Sequence, residues 1–146
     1  MASRVYILLV AAGGIAALMG CAPASGTTES PGSARDRLYR VLNETQVALG
    51  GTWDNQDDPT SRGCVIPPFT EGELYPALRV GPPPPDVASV VNTVTALWRS
   101  RGYTVDETPI DTVFELQATG GSGEIAILRV SPDAMTLHGE SECRPL

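Results

Sequence analysis

Apolar residues recur at Leu38, Val41, Leu42, Ala48 and Leu49, with Thr45 in the same stripe, while Arg37, Arg40, Asn43 and Glu44 fall largely elsewhere. Spacings of three and four place them on one face of a helix, predicted from Ser33 to Leu49 and stopped by Gly50-Gly51. A second stripe, Val87, Val90, Val91, Val94, Leu97 and Trp98, predicts another helix. It follows the proline run Pro82 to Pro85, whose fixed φ and missing N–H suit a helix entrance better than a polyproline ligand. Gly102 ends it, and Arg99 and Arg101 stand where the helix dipole favours cations.

Beyond Gly102 the period changes to two. Tyr103 to Glu107, Thr112 to Thr119, Glu124 to Val130 and Ala134 to Cys143 read as successive strands. Their connections, Thr108-Pro109, Gly120 to Gly123 and Ser131-Pro132-Asp133, are short enough to make an antiparallel meander the economical topology. The glycine run joins strand to strand with no helix behind it, so it is a hairpin turn and not a phosphate cradle. Two further strand segments precede the second helix, Gly63 to Ile66 and Glu73 to Val80. Pro76 cannot donate a ladder hydrogen bond, so the latter lies at an edge or is broken. The predicted fold is α+β: two layers, an antiparallel meander sheet of about four to six strands with both helices packed on one face.

Residues 1–20 follow a different pattern. Arg4 and the amino terminus precede an apolar run from Val5 to Leu18, and a small residue stands before Cys21, the layout of a secretory signal peptide. A 14-residue helix covers about 21 Å of a roughly 30 Å hydrocarbon core, too short to span comfortably, and no basic flank follows it. Leu18-Met19-Gly20-Cys21 resembles the lipobox of bacterial lipoproteins. That resemblance implies cleavage after Gly20, a diacylglyceryl thioether on Cys21, and residence on the extracytoplasmic face of the cell membrane. Residues 21–32 then form the lipidated cysteine and a tether rich in Ser, Thr, Gly, Pro and Ala, and residues 33–146 a single domain.

With Cys21 assigned to the anchor, Cys64 and Cys143 remain as an even pair in an exported chain, which predicts a disulfide. No Cys-x-x-Cys spacing poises them for exchange, so the bond is a staple.

Composition narrows the chemistry. The 146 residues carry a net charge of -7 and one His, and every basic residue is Arg. The absence of Lys excludes P-loop and Schiff-base chemistry. The acidic balance argues against a nucleic-acid partner, and one His with two spare Cys undersupplies a zinc site. No cofactor or catalytic residue is expected. His138 falls on the outer face of the last strand and Ser141 on the other, so those two cannot form a nucleophile and base pair. The stretch Asp54-Asn55-Gln56-Asp57-Asp58-Pro59 concentrates oxygen ligands but fails the EF-hand spacing at Gln56 and Pro59. Asp54, Asp57 and Asp58, with Trp53, are therefore kept as candidate ligand or cation contacts. Trp53 either caps the core beside Cys64 or stands exposed for a ligand.

The lipobox, Trp53, Cys64, the Gly102-Tyr103 helix exit and the terminal Ser-Glu-Cys-Arg-Pro-Leu together resemble small actinobacterial lipoproteins, of which the mycobacterial LppA-like group is the nearest type. The resemblance implies a place in the cell envelope and supplies no chemistry. The expected function is a membrane-anchored, non-catalytic module that binds an envelope protein or a small ligand. The alternative is a carboxylate-dependent cell-wall hydrolase or transferase.

Overall fold

In the computed structural model, which describes residues 29–146, the first apolar stripe forms α1 (Pro31–Leu49). The helix starts two residues before the expected Ser33. Ser30 accepts the Ser33 N–H at its side chain, and Pro31 occupies the first turn, where its missing N–H carries no penalty. The signal segment, Cys21 and the tether up to residue 28 lie outside the described residues.

Nine strands and a second helix follow: β1 (Asp54–Asn55), β2 (Arg62–Ile66), β3 (Thr70–Leu74), β4 (Pro76–Gly81), α2 (Val87–Ser100), β5 (Thr104–Ile110), β6 (Val113–Thr119), β7 (Ile125–Val130), β8 (Met135–Glu140) and β9 (Arg144–Pro145). The expected meander is β5 to β8, each strand pairing with the next. β4 and then β1 add to its far edge, giving a six-stranded antiparallel sheet in the order β1-β4-β8-β7-β6-β5. Both helices pack on one face, so the molecule is a two-layer α+β fold.

The core lies between these layers. Leu38 and Leu42 from α1, Val94 and Trp98 from α2, and Leu116, Ala118, Ala126, Leu128 and Leu137 from the sheet are wholly buried. A Cβ on Gly139 would lie 3.0 Å from a Leu38 methyl and 3.2 Å from a Leu42 methyl, so even an alanine there would make both leucines give way by a few tenths of an ångström. Between the helices, the Trp98 indole N–H donates to Thr45 Oγ1 at 2.9 Å, and Thr45 donates to the Val41 carbonyl at 2.8 Å. The buried indole is thereby satisfied, which is why a polar Thr belongs in the apolar stripe. Among the described residues no helix is long and apolar enough to cross a membrane.

Three details depart from the sequence expectation. The first hairpin of the meander turns at Asp111-Thr112, with Asp111 at φ 53°, and β5 runs on through Pro109. β5 is an edge strand, so proline's missing N–H leaves no partner unpaired. The segment expected as one strand from Glu73 to Val80 breaks at Tyr75, and Pro76 opens β4 instead of interrupting it. The last strand likewise ends at Glu140, so Cys143 is not on β8.

The two breaks face each other. Ser141 N–H donates to the Tyr75 carbonyl at 2.9 Å, and Tyr75 N–H donates to Ser141 Oγ at 2.8 Å. Beyond this point the same two segments pair again, as β3 with β9, and with β2 they make a separate three-stranded sheet, β2-β3-β9. A two-stranded ribbon thus bends from one sheet into the other, a second sheet absent from the expectation. The expected disulfide closes this small sheet, Cys64 on β2 to Cys143 just before β9, with a Cα separation of 6.1 Å.

Where the ribbon leaves the helices, charges collect. Arg37 of α1 pairs with Glu29 and, at 2.8 Å, with Glu142; Arg144 of β9 pairs with Glu29 at 3.1 Å and Glu142 at 2.8 Å. The first described residue, Glu29, is therefore tied to the domain at β9. Arg37, foremost, and then Arg144 lower the pKa of the Glu29 carboxyl.

Candidate functional site

Strand alternation assigns Ala126, Leu128 and Val130 of β7 to the helix-covered face, and hence Ile125, Ile127 and Arg129 to the other. The registers then define a row across the open face: Leu78, His138, Ile127 and Gln117, side by side on β4, β8, β7 and β6. The neighbouring row contains Pro76, Glu140 and Ile125. Together they line a cleft of about 520 Å³, with Leu78, Ile125, Ile127 and His138 on its floor and Glu140 at its rim.

The wall of the cleft comes from the β1–β2 connection, through Gln56 and Asp58, and from Arg62 at the start of β2. Gln56 N–H donates to the Leu78 carbonyl at 2.8 Å, which extends the pairing of β1 with β4. Asp57 turns the opposite way. Its carboxylate accepts from Leu78 N–H at 3.2 Å and from Arg79 Nη2 at 2.9 Å. Arg79 is on the helix-covered face, only 2 % exposed, where its Nη1 also donates to Asn43 and Gln46 of α1 and its guanidinium stacks over Tyr39. Asp57 is thus a positioning residue that pins the wall to β4. The adjacent Asp58 accepts the Thr60 N–H at 2.9 Å, a bond that lowers its pKa and keeps it ionised.

The sequence placed Trp53, Asp54, Asp57 and Asp58 together as candidate contacts. The fold separates them. Trp53 packs partly buried against the core, its indole N–H donating to the Gly50 carbonyl at 2.9 Å and its ring over Gly81. Asp54 is exposed and accepts from Gln56 at 2.6 Å, Asp57 holds Arg79, and of the four only Asp58 lines the cleft. Among the described residues no group of three His, Cys, Asp or Glu side chains is placed to hold a metal ion. Arg99 and Arg101 serve structure, approaching Glu107 and Glu44.

His138 is on the outer face as expected, but half-buried at the centre of the cleft floor. Burial, and secondarily the charge of Arg129, push its pKa down, so it is a neutral donor and acceptor. The rim carries both signs, Arg62 and Arg129 against Asp58 and Glu140, with Arg129 also paired to Glu115 at 2.7 Å. An aliphatic floor under a mixed polar rim accommodates a ligand with an apolar body and a polar end. The aliphatic floor was missed in the sequence, although one signal was present. Ile125-Ala126-Ile127-Leu128 is apolar without alternation, the mark of a strand covered on both faces.

No family model matches the chain, and no curated protein matches it. Among solved structures, it is similar to a DUF4853 family protein from Actinomyces odontolyticus ATCC 17982, solved at 2.65 Å resolution, with 18% sequence identity and a TM-score of 0.55. The match covers 73% of this chain and 61% of that one. The likeness is one of fold.

Proposed function

We propose that this chain is a lipid-anchored envelope protein of the extracytoplasmic membrane face that binds a small amphipathic ligand in the cleft between the open sheet face and the β1–β2 connection. The observation carrying this reading is the aliphatic floor, Leu78, Ile125 and Ile127, lying on the sheet face the helices leave uncovered. The lipobox-like Leu18-Met19-Gly20-Cys21 supports the anchor and agrees with the resemblance to LppA-like lipoproteins. Binding is favoured over carboxylate-dependent hydrolysis or transfer because the two carboxylates of the cleft, Asp58 and Glu140, stand on its rim beside an aliphatic floor, and Asp58, held ionised by its own turn, is unsuited to donate a proton.

The test is a titration of the full chain with anilinonaphthalene sulfonate, an apolar ring system with an anionic end. Saturable binding is expected, with affinity lowered about tenfold or more in Ile127→Asp and unchanged in Val47→Asp, a substitution on the exposed side of α1. Binding that Ile127→Asp leaves intact overturns the site. For the anchor, Cys21→Ala moves the protein from the membrane to the soluble fraction.

A further inference from the structure

Seven residues separate Cys21 from Glu29. The eight Cα steps between them reach at most about 28 Å. A domain of roughly 120 residues has a radius of gyration of about 13 Å and a diameter of about 35 Å. A tether of that reach falls short of the domain's diameter, so the inverted orientation is excluded, and orientations with the face where the chain emerges towards the bilayer demand the least chain extension.

That face is marked by Glu29, which Arg37 and Arg144 fix beside β9. β9 pairs with β3, Glu73 opposite Arg144 and Gly72 opposite Pro145. Ile66 and Leu74 of this small sheet are partly buried, but three apolar side chains about it point to water: Phe69 at the β2–β3 turn is 90% exposed and Val65 66%, with Leu146 next to Pro145 exposed as well. Val65 and Glu71 are directly opposite one another on β2 and β3. Val65 and Leu146 border one shallow depression on this sheet, with Phe69 at the turn that follows β2, and grouped apolar exposure of this kind marks a contact surface.

We propose that Val65, Phe69 and Leu146 form a membrane-docking surface that enters the boundary between headgroups and acyl chains of the bilayer holding Cys21. The proposal rests on the reading of Cys21 as lipidated. Glu71 and Glu73 beside the apolar set oppose attraction to anionic lipid, so the contact is apolar and follows from tethering, which makes it intramolecular. Docking this end leaves the cleft, on the larger sheet, open to ligand.

The experiment uses the lipidated full chain in vesicles of phosphatidylethanolamine and phosphatidylglycerol containing brominated acyl chains. Two variants are compared, Phe69→Trp and Ile110→Trp, the latter at the opposite end of the meander. The added quenching in Phe69→Trp is expected to exceed that in Ile110→Trp by about threefold and to persist between about 50 and 500 mM salt. A second measurement needs no new indole: Phe69→Asp, at an exposed position, is expected to shorten the rotational correlation time of the anchored domain about twofold. Equal quenching in the two tryptophan variants, with the protein still floating with the vesicles, overturns the docking surface and spares the anchor. Loss of co-flotation overturns both. Emission of Phe69→Trp that shifts to the blue with protein concentration in the unlipidated Cys21→Ala background assigns the patch to a second copy of the chain and overturns the proposal.

Discussion

Arg79 Nη2 lies 2.9 Å from Asp57 Oδ2, and the arginine is buried under α1 while the aspartate belongs to the segment that walls the cleft. The cation beside Asp57 is therefore one of the chain's own. Removing one partner of a buried pair strands the other charge, a loss of about 3–5 kcal/mol. Asp57→Ala is expected to destabilise at the lower end of that range, because Asn43, Gln46 and the Tyr39 face still hold the guanidinium. The double variant with Arg79→Met should cost less than the sum of the two single changes, as measured by urea unfolding. Strict additivity would show that the pair is not coupled.

The same residues show what the sequence could and could not reveal. Period-two alternation and short turns made β5 to β8 readable, and the two apolar stripes gave both helices within two residues. The bend at Tyr75 and Ser141 was not readable, since it depends on two strand interruptions, distant in sequence, exchanging hydrogen bonds across the ribbon. Nor was the split of Asp57 from Asp58. Adjacent carboxylates in an irregular segment look like a cluster until strand pairing fixes Gln56 on β4 and alternation sends 57 and 58 to opposite sides. Arg79 looked like an ordinary strand residue because burial of a cation is set by partners more than thirty residues away in sequence.

Gly81 makes a second relationship testable. A Cβ there would lie 2.7 Å from the Trp53 ring, too close for any side chain. Gly81→Ala must displace the indole from the core, and overpacking of this kind costs about 1–3 kcal/mol. A red shift of Trp53 emission is expected, read in a Trp98→Phe background so that only one indole reports. An unchanged spectrum would mean that the ring is not seated over β4.

The Cys64–Cys143 bond closes a loop of about 80 residues, for which chain entropy alone gives about 4.5 kcal/mol, and measured losses in small exported domains are about 2–5 kcal/mol. Replacing both cysteines by Ser should lower the thermal midpoint by about 8–20 °C, taking about 4 °C per kcal/mol for a domain of roughly 120 residues. Because the bond ties only the small sheet, far-UV circular dichroism of the six-stranded sheet should persist below that midpoint.

Tyr103 follows α2 and is buried, facing the Glu124 carboxylate. Burial first, and the Glu124 charge second, push its phenol up to about 12. The folded state therefore resists losing this proton while the unfolded chain gives it up near pH 10. Stability from this group is complete below pH 10 and declines as pH rises towards 12, by about 2–3 kcal/mol in total. Urea midpoints between about pH 9 and 11.5 should fall less steeply in Tyr103→Phe, and parallel slopes would show that the phenol is not shielded.

His138 offers the converse test inside the cleft. Its pKa is lowered by burial and then by Arg129, so on acidification the unfolded chain binds a proton first, and this contribution to stability is present above pH 6.5 and lost as pH falls below it. The chain has one His, so a single imidazole resonance followed by NMR reports the site without ambiguity. Arg129→Gln should move that titration towards 6.5 but not reach it, because the floor of Leu78 and Ile127 still flanks the ring. Occupation of the cleft by anilinonaphthalene sulfonate should shift the same resonance. A titration unmoved by either would place the imidazole in open solvent and remove it from the cleft floor.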